Sequence, residues 1–226
     1  MTAPTLSGAE HLPAAGAALF ILATALAGVA LDFAARAASR RALPQYAVSS
    51  PRRVWPTAAA AGLLCGALAW HFGPAPELAA YLFLVIAAVE LTRIDLSFHI
   101  LPNRIVAPLL GIGLVLLAGS AMVSGEWPAL LRGLIGLVIL FVCYFILALI
   151  SPNGIGMGDV KLSAPLGLYL GYLGWPQLFY GGTLGFVAGG IAAALLVLKN
   201  RGTKPQEVAF GPSMLAATLT VILLSA

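Results

Sequence analysis

Charge is what this sequence has least of. Only 9% of its 226 residues are Asp, Glu, Lys or Arg, whereas 61% are hydrophobic, and an average soluble domain carries roughly a quarter charged residues. A water-soluble fold is excluded on that count. Cysteine is nearly absent as well: Cys65 and Cys143 sit inside separate apolar blocks without neighbouring metal ligands, so they read as small packing residues, with neither a disulfide framework nor a zinc site. No low-complexity tail and no second soluble domain stand out. No basic stretch precedes the first apolar block, whose first positive charge, Arg36, comes after it; a cleavable signal peptide is therefore not expected.

What is present is a series of apolar blocks: Gly16 to Ala35, Val54 to Phe72, Leu78 to Leu96, Arg104 to Val123, Leu130 to Ile150, Leu162 to Gly174, Leu178 to Leu198 and Val208 to Ser225. Most approach the ~20 residues that a helix needs to cross hydrocarbon. The block from Leu162 is short, and Pro165, Gly167 and Gly171 weaken it as a helix. Yet the 38 steps along the chain from Lys161 to Lys199 are enough for two spans and too many for one. The expected fold is all-α, a polytopic helical membrane protein with eight transmembrane helices, six or seven being the fallback, in one membrane-embedded domain over residues 1–226. Gly181, Gly185 and Gly189 place a small residue at every fourth position, which predicts close helix packing in lipid.

Cytoplasmic loops keep Lys and Arg while translocated loops lose them. With the N-terminus outside, eleven of the twelve basic residues fall inside or at inner helix ends: Arg36, Arg40, Arg41, Arg52, Arg53, Arg93, Arg104, Lys161, Lys199, Arg201 and Lys204. Arg132 alone lies outside, where the loops carry Glu10, Glu77 and Glu126. The net charge of +4 follows from this bias and implies no nucleic-acid partner. The lipid bilayer is the partner that the composition does imply.

Ionisable groups at membrane depth are costly, so each is a site candidate until it is explained. Five acidic residues qualify: Asp32, Glu90, Asp95, Asp159 and Glu207. Glu90 and Arg93 stand three apart on one helix and can pair; Asp32 and Glu207 are boundary charges. Asp95 falls near the C-terminal end of the third block, where the negative end of the helix dipole disfavours a carboxylate. Asp159 follows Gly154, Gly156 and Gly158 in the loop from Asn153 that opens the sixth helix. It is readable as an N-cap or as a catalyst, because the glycines permit unusual backbone shapes and leave room for a substrate strand. Although 64 residues apart in sequence, the two aspartates are expected at one face and one depth. Two carboxyl groups held close share a proton, one acting as acid and the other as base toward water. Such a dyad hydrolyses a peptide bond without metal or cofactor.

These residues resemble a known family, the type IV prepilin peptidases, membrane aspartic proteases with a Gly-x-Gly-Asp motif. Three places carry the resemblance, which spans the chain from about Leu78 onward. Asp95 is followed by Ile100-Leu101-Pro102-Asn103, similar to the family's Asp, spacer and Leu/Ile-Pro-Asp/Asn. Gly156-Met157-Gly158-Asp159-Val160-Lys161-Leu162 is similar to its Gly-x-Gly-Asp-x-Lys-Leu, and Phe210-Gly211-Pro212 to a Phe-Gly-Pro segment before the last helix. The resemblance implies that Asp95 and Asp159 are catalytic and that the substrate is a type IV pilin-like precursor, its leader cut at the cytoplasmic face of the inner membrane by a multi-pass enzyme.

The supporting residues keep two readings each. Pro102 and Asn103 start the fourth helix, with Asn103 as its cap, or meet substrate. Lys161 is an inner-face anchor or a fixed cation beside Asp159. Phe210, Gly211 and Pro212 set the start of the last helix or belong to the site. His99 reads as an interface side chain. Longer family members resemble this chain but carry two Cys-x-x-Cys pairs between the first two helices, associated with N-methylation; Arg36 to Arg53 holds no cysteine, so zinc is not expected and methyl transfer has no support there. Three rival functions stand beside this one. A signal-peptide-peptidase or presenilin type would carry Tyr-Asp and Pro-Ala-Leu, where this chain has Ile94-Asp95 and Phe210-Gly211-Pro212. A proton-coupled transporter would place its carboxylates near the midplane on broken helices. An assembly subunit would not need either aspartate. Oligomeric state is not legible.

The eleven-to-one split of basic residues sets the first test. In a background without the native cysteines, single cysteines beside Glu77 and Glu126 should react with an impermeant thiol reagent added outside cells, and cysteines beside Arg41 and Lys204 should not. Outside labelling near Lys204 would reverse the orientation.

Overall fold

In hydrocarbon every backbone N–H and C=O must find its partner within the protein, which leaves a chain of apolar blocks the helix as its solution. The computed structural model describes residues 14–46, 54–150, 155–199 and 210–225. Among the described residues there are eight α-helices and no strand: α1 (Ala14–Ala42), α2 (Val54–Phe72), α3 (Leu78–Phe98), α4 (Asn103–Ser124), α5 (Trp127–Ile150), α6 (Met157–Leu173), α7 (Trp175–Lys199) and α8 (Gly211–Leu224), with a 3-10 turn at Pro44–Tyr46 after α1. The eight expected helices are all there. Three of them, α1, α4 and α5, are long and apolar enough to cross a membrane on length and composition alone. Large apolar side chains such as Leu19, Leu63, Val115 and Phe179 stand two-thirds or more exposed, a surface suited to lipid and not to water.

The short sixth block is the helix that the others surround. From Asp159 to Tyr172 only Lys161 is exposed. Its weak helix formers are explained by that position. A Cβ on Gly136 of α5 would come within 2.6 Å of the Gly167 carbonyl oxygen and 3.1 Å of the Gly171 Cα, and one on Gly171 within 2.8 Å of the Arg132 carbonyl oxygen. The two backbones therefore touch, as small residues allow in lipid. Pro165 lies inside α6 without ending it.

Arg132, the one basic residue expected outside, has a structural task. Its Nε donates to the Gly171 carbonyl at 2.7 Å, and Nη2 to those of Tyr172 at 2.5 Å and Leu173 at 3.2 Å. These carbonyls end α6 without helical partners, and a cation there also suits the helix dipole. On the opposite face Arg104 Nη1 donates to the Ala42 carbonyl at 2.6 Å. That bond ties the end of α1, with its Arg40 and Arg41, to the start of α4.

The glycine repeat packs as expected. A Cβ on Gly181 would meet Leu170 of α6 at 2.5 Å, one on Gly185 the Cα of Met214 in α8 at 3.3 Å, and one on Gly189 the ring of Phe210. The cysteines divide. Cys65 is buried and its Sγ would lie 2.7 Å from a Cβ on Gly28, as a packing residue should, whereas Cys143 is exposed on α5. The expectation of a packing role fails for Cys143 because α5 turns that face outward.

Replacing Gly136 by Val should lower the thermal midpoint of the purified protein, at a cost of about 1–3 kcal/mol typical of overpacking. Gly111→Ala on α4, where a Cβ meets nothing within 4 Å, should be neutral or slightly stabilising. Equal midpoints for Gly136→Val and wild type would mean that α5 and α6 do not touch.

Candidate active site

Most buried charge in this protein is paired. Arg36 Nε lies 2.6 Å from Asp32 Oδ2 one turn away on α1, both side chains almost fully buried, and Arg36 also donates to the Thr57 hydroxyl of α2. Asp32 was expected as a boundary charge; it is instead half of a buried ion pair at helical i,i+4 spacing. Glu90 and Arg93 pair as their spacing predicts. Glu207 lies outside the described residues, as do Asn153 and Gly154. Asp95 and Asp159, both buried, have no cationic partner within ion-pair distance among the described residues.

Asp95 sits in the last turn of α3. The helix stops because His99 adopts the left-handed conformation, φ 54° and ψ 39°, and its N–H closes on the Asp95 carbonyl at 2.8 Å. His99 is the one non-glycine residue with positive φ among the described residues, a conformation that carries some strain and is enriched at functional sites. Asp95 Oδ2 is buried and accepts no hydrogen bond of good geometry, although the backbone N–H of Gly211 faces the carboxyl group. The start of α8 closes over it: a Cβ on Gly211 would lie 2.8 Å from that oxygen and 3.2 Å from the Leu101 side chain. No larger residue fits there without displacing the carboxyl.

Asp159 sits in the first turn of α6. Gly156, extended at φ −73° and ψ 147°, is the N-cap, and its N–H donates to Asp159 Oδ2 at 3.3 Å. Asp159 is thus the third helical residue and not the N-cap itself, although it does serve the helix start. The unusual backbone shapes expected of these glycines are not seen at Gly156 or Gly158, since the positive-φ glycines among the described residues are Gly73 and Gly125; Gly154 lies outside those residues. Space is what they provide. A Cβ on Gly158 would stand 3.2 Å from that of Leu101, so Leu101 is wedged between Gly158, beside one aspartate, and Gly211, against the other.

The two carboxyl groups lie within electrostatic range of each other. Helix ends of α3, α4, α6 and α8 meet around them. His99 follows Asp95 by one helical turn, and Tyr144 of α5, buried with its hydroxyl donating to the Gly182 carbonyl at 3.3 Å, lies in electrostatic range of Asp159. Tyr144 went unread in the sequence, where its one signal is a hydroxyl inside an otherwise apolar run.

The other motif residues sort themselves by contact. Pro102, at φ −69° and ψ 129°, is the N-cap of α4, and its carbonyl accepts from Ile105 and Val106. Asn103 is the first helical residue rather than the cap, since the extended proline takes that place; its Oδ1 accepts from Lys161 Nζ at 3.3 Å. Lys161 therefore braces α6 against α4 and makes no ion pair with Asp159. Phe210 is buried against Phe186 and Gly189, and Pro212 occupies the first turn of α8. These two hold Gly211 where it touches the site. Among the described residues no group of three or more His, Cys, Asp or Glu side chains gathers as a metal site.

Two carboxyl groups in electrostatic range of each other cannot both ionise cheaply. The fold is that of a helical membrane protein, with two buried aspartates at the ends of different helices. Residues 78–197 match the model of the type IV leader peptidase family, more than half of the chain, and the chain belongs to that family. It is similar to the prepilin leader peptidase/N-methyltransferase of Stutzerimonas stutzeri, 31% identical over 165 residues, which are 73% of this chain and 56% of that protein. Similarity extends to proteins of the same name from Pseudomonas aeruginosa, 30% identical over 159 residues (70% and 53%), and Neisseria gonorrhoeae, 31% over 154 residues (68% and 51%). The chain spans about half the length of these relatives. No solved structure is significantly similar to it.

Proposed function

We propose that this protein is an aspartic endopeptidase that removes the leader from type IV pilin-like precursors at the cytoplasmic face of the inner membrane, with Asp95 and Asp159 as its catalytic pair. The observation that carries this reading is a pair of buried aspartates, on different helices and in electrostatic range of each other, neither with a cation beside it among the described residues. Family membership and the relatives' name support the substrate class. The inner face is supported by Arg40, Arg41, Arg104 and Lys161, which cluster at the same end of the helices as the two aspartates.

In this mechanism a water between the carboxyl groups loses a proton to the ionised one and attacks the scissile carbonyl carbon. The protonated partner donates its proton to the carbonyl oxygen. Collapse of the tetrahedral intermediate breaks the C–N bond; the proton taken from water passes to the leaving amine, and a hydroxyl of the intermediate returns its proton to the carboxylate that first donated one. Both carboxyl groups return to their starting state, so no metal or cofactor is consumed. Gly156 holds one oxygen of Asp159, and Gly211 packs against the Asp95 carboxyl. The methyl-transfer half of the relatives' name is not carried over, because Arg36 to Arg53 contains no cysteine pair.

Since each carboxyl group supplies half of one proton exchange, Asp95→Asn and Asp159→Asn should each abolish cleavage, and the double variant should be no slower than either. Both should still insert and bind precursor, because Asn keeps the shape. Cleavage rates at matched membrane abundance decide the matter: wild-type turnover in either single variant would rule out the dyad and favour an assembly subunit or a transporter.

A further inference from the structure

A groove of about 690 Å³ lies between α2, α3 and α8, and it ends at the site. Leu96, next to Asp95, and Pro212, next to Gly211, line one end; Leu64 and Leu223 line it farther along. The eleven steps from Pro212 to Leu223 cover roughly 16 Å of helix axis, enough to lie beside about three turns of another helix. Its lining is mostly apolar; of the polar groups on it, Arg93 pairs with Glu90 through Nη2, and Thr57 accepts from Arg36.

We propose that this groove seats the apolar membrane helix of the precursor and delivers the adjoining peptide bond to Asp95. The assignment rests on the peptidase reading above. Lipid could wet such a groove anywhere on the surface, but this one ends beside Leu96 and Pro212, the chain neighbours of Asp95 and Gly211. Continuity with the site selects the occupant. A substrate cut at the membrane surface has two parts, a polar leader and an apolar helix, and a groove that leads from the lipid-facing side to the site fits the second. Ala216, exposed on α8, lines the groove and is the position where added bulk blocks it without touching either aspartate.

The test uses the full chain in membranes with a precursor whose helix is intact. With p-benzoylphenylalanine in place of Ala216 in an Asp159→Asn background, irradiation should crosslink the precursor's apolar helix, while the same group in place of Val115, exposed on α4, should not. In the active enzyme Ala216→Trp should raise KM for the precursor at least about tenfold with kcat little changed, and Val115→Trp should leave both alone. Crosslinks from position 216 to lipid or to a second copy alone, or a wild-type KM in Ala216→Trp, would overturn the assignment while leaving the peptidase standing. Failure of the wild-type protein to cut any precursor would remove the peptidase and the groove together.

Discussion

Where Gly136 meets Gly167, two helix backbones touch with no side chain between them. Lipid gives helices no hydrophobic reason to associate, so close van der Waals contact of this kind is what holds them. The contact places α6 in the middle of the helices, and the position of α6 fixes Asp159. Arg132 secures the far end of the same helix by taking three of its last carbonyls. At the near end Lys161 reaches Asn103, and Leu101 fills the space that Gly158 leaves. A helix held at both ends and along its length presents its first-turn carboxyl group in one place, as a reaction centre requires.

Buried charge then separates structure from chemistry. Asp32 with Arg36 and Glu90 with Arg93 are ion pairs within single helices, and each neutralises a cost that the membrane would otherwise impose. Asp95 and Asp159 have no such cation beside them among the described residues. Carboxyl groups in electrostatic range of each other lower stability unless one of them is protonated. On the proposed function, the proton that relieves the pair is the one that hydrolysis uses.

The sequence was most legible where the physics is one-dimensional. Apolar blocks gave eight helices because the need to satisfy the backbone acts along each segment, and Glu90 with Arg93 was readable because three residues on a helix bring side chains together. Motif spacing brought out Asp95 and Asp159. What could not be read depends on neighbours distant in the chain. The weakness of the block from Leu162 is a sign of burial against α5, which only the position of Gly133 and Gly136 explains. Asp32 looked like a boundary charge although Arg36 stood one turn away. Asn103 looked like a helix cap until Pro102 took that place, and Tyr144 carried no pattern to mark it. Gly156 and Gly158 were rightly noticed but for the wrong reason, since neither takes an unusual backbone shape and Gly158 leaves room for Leu101.

One measurement bears most directly on the central claim that this protein hydrolyses a single bond between a polar leader and an apolar helix. Purified protein is incubated with a pilin-like precursor, and all products are weighed by mass spectrometry. Two fragments are predicted, cut at one position, whose masses together equal the precursor plus one water. An intact precursor after prolonged incubation with folded protein would contradict the account.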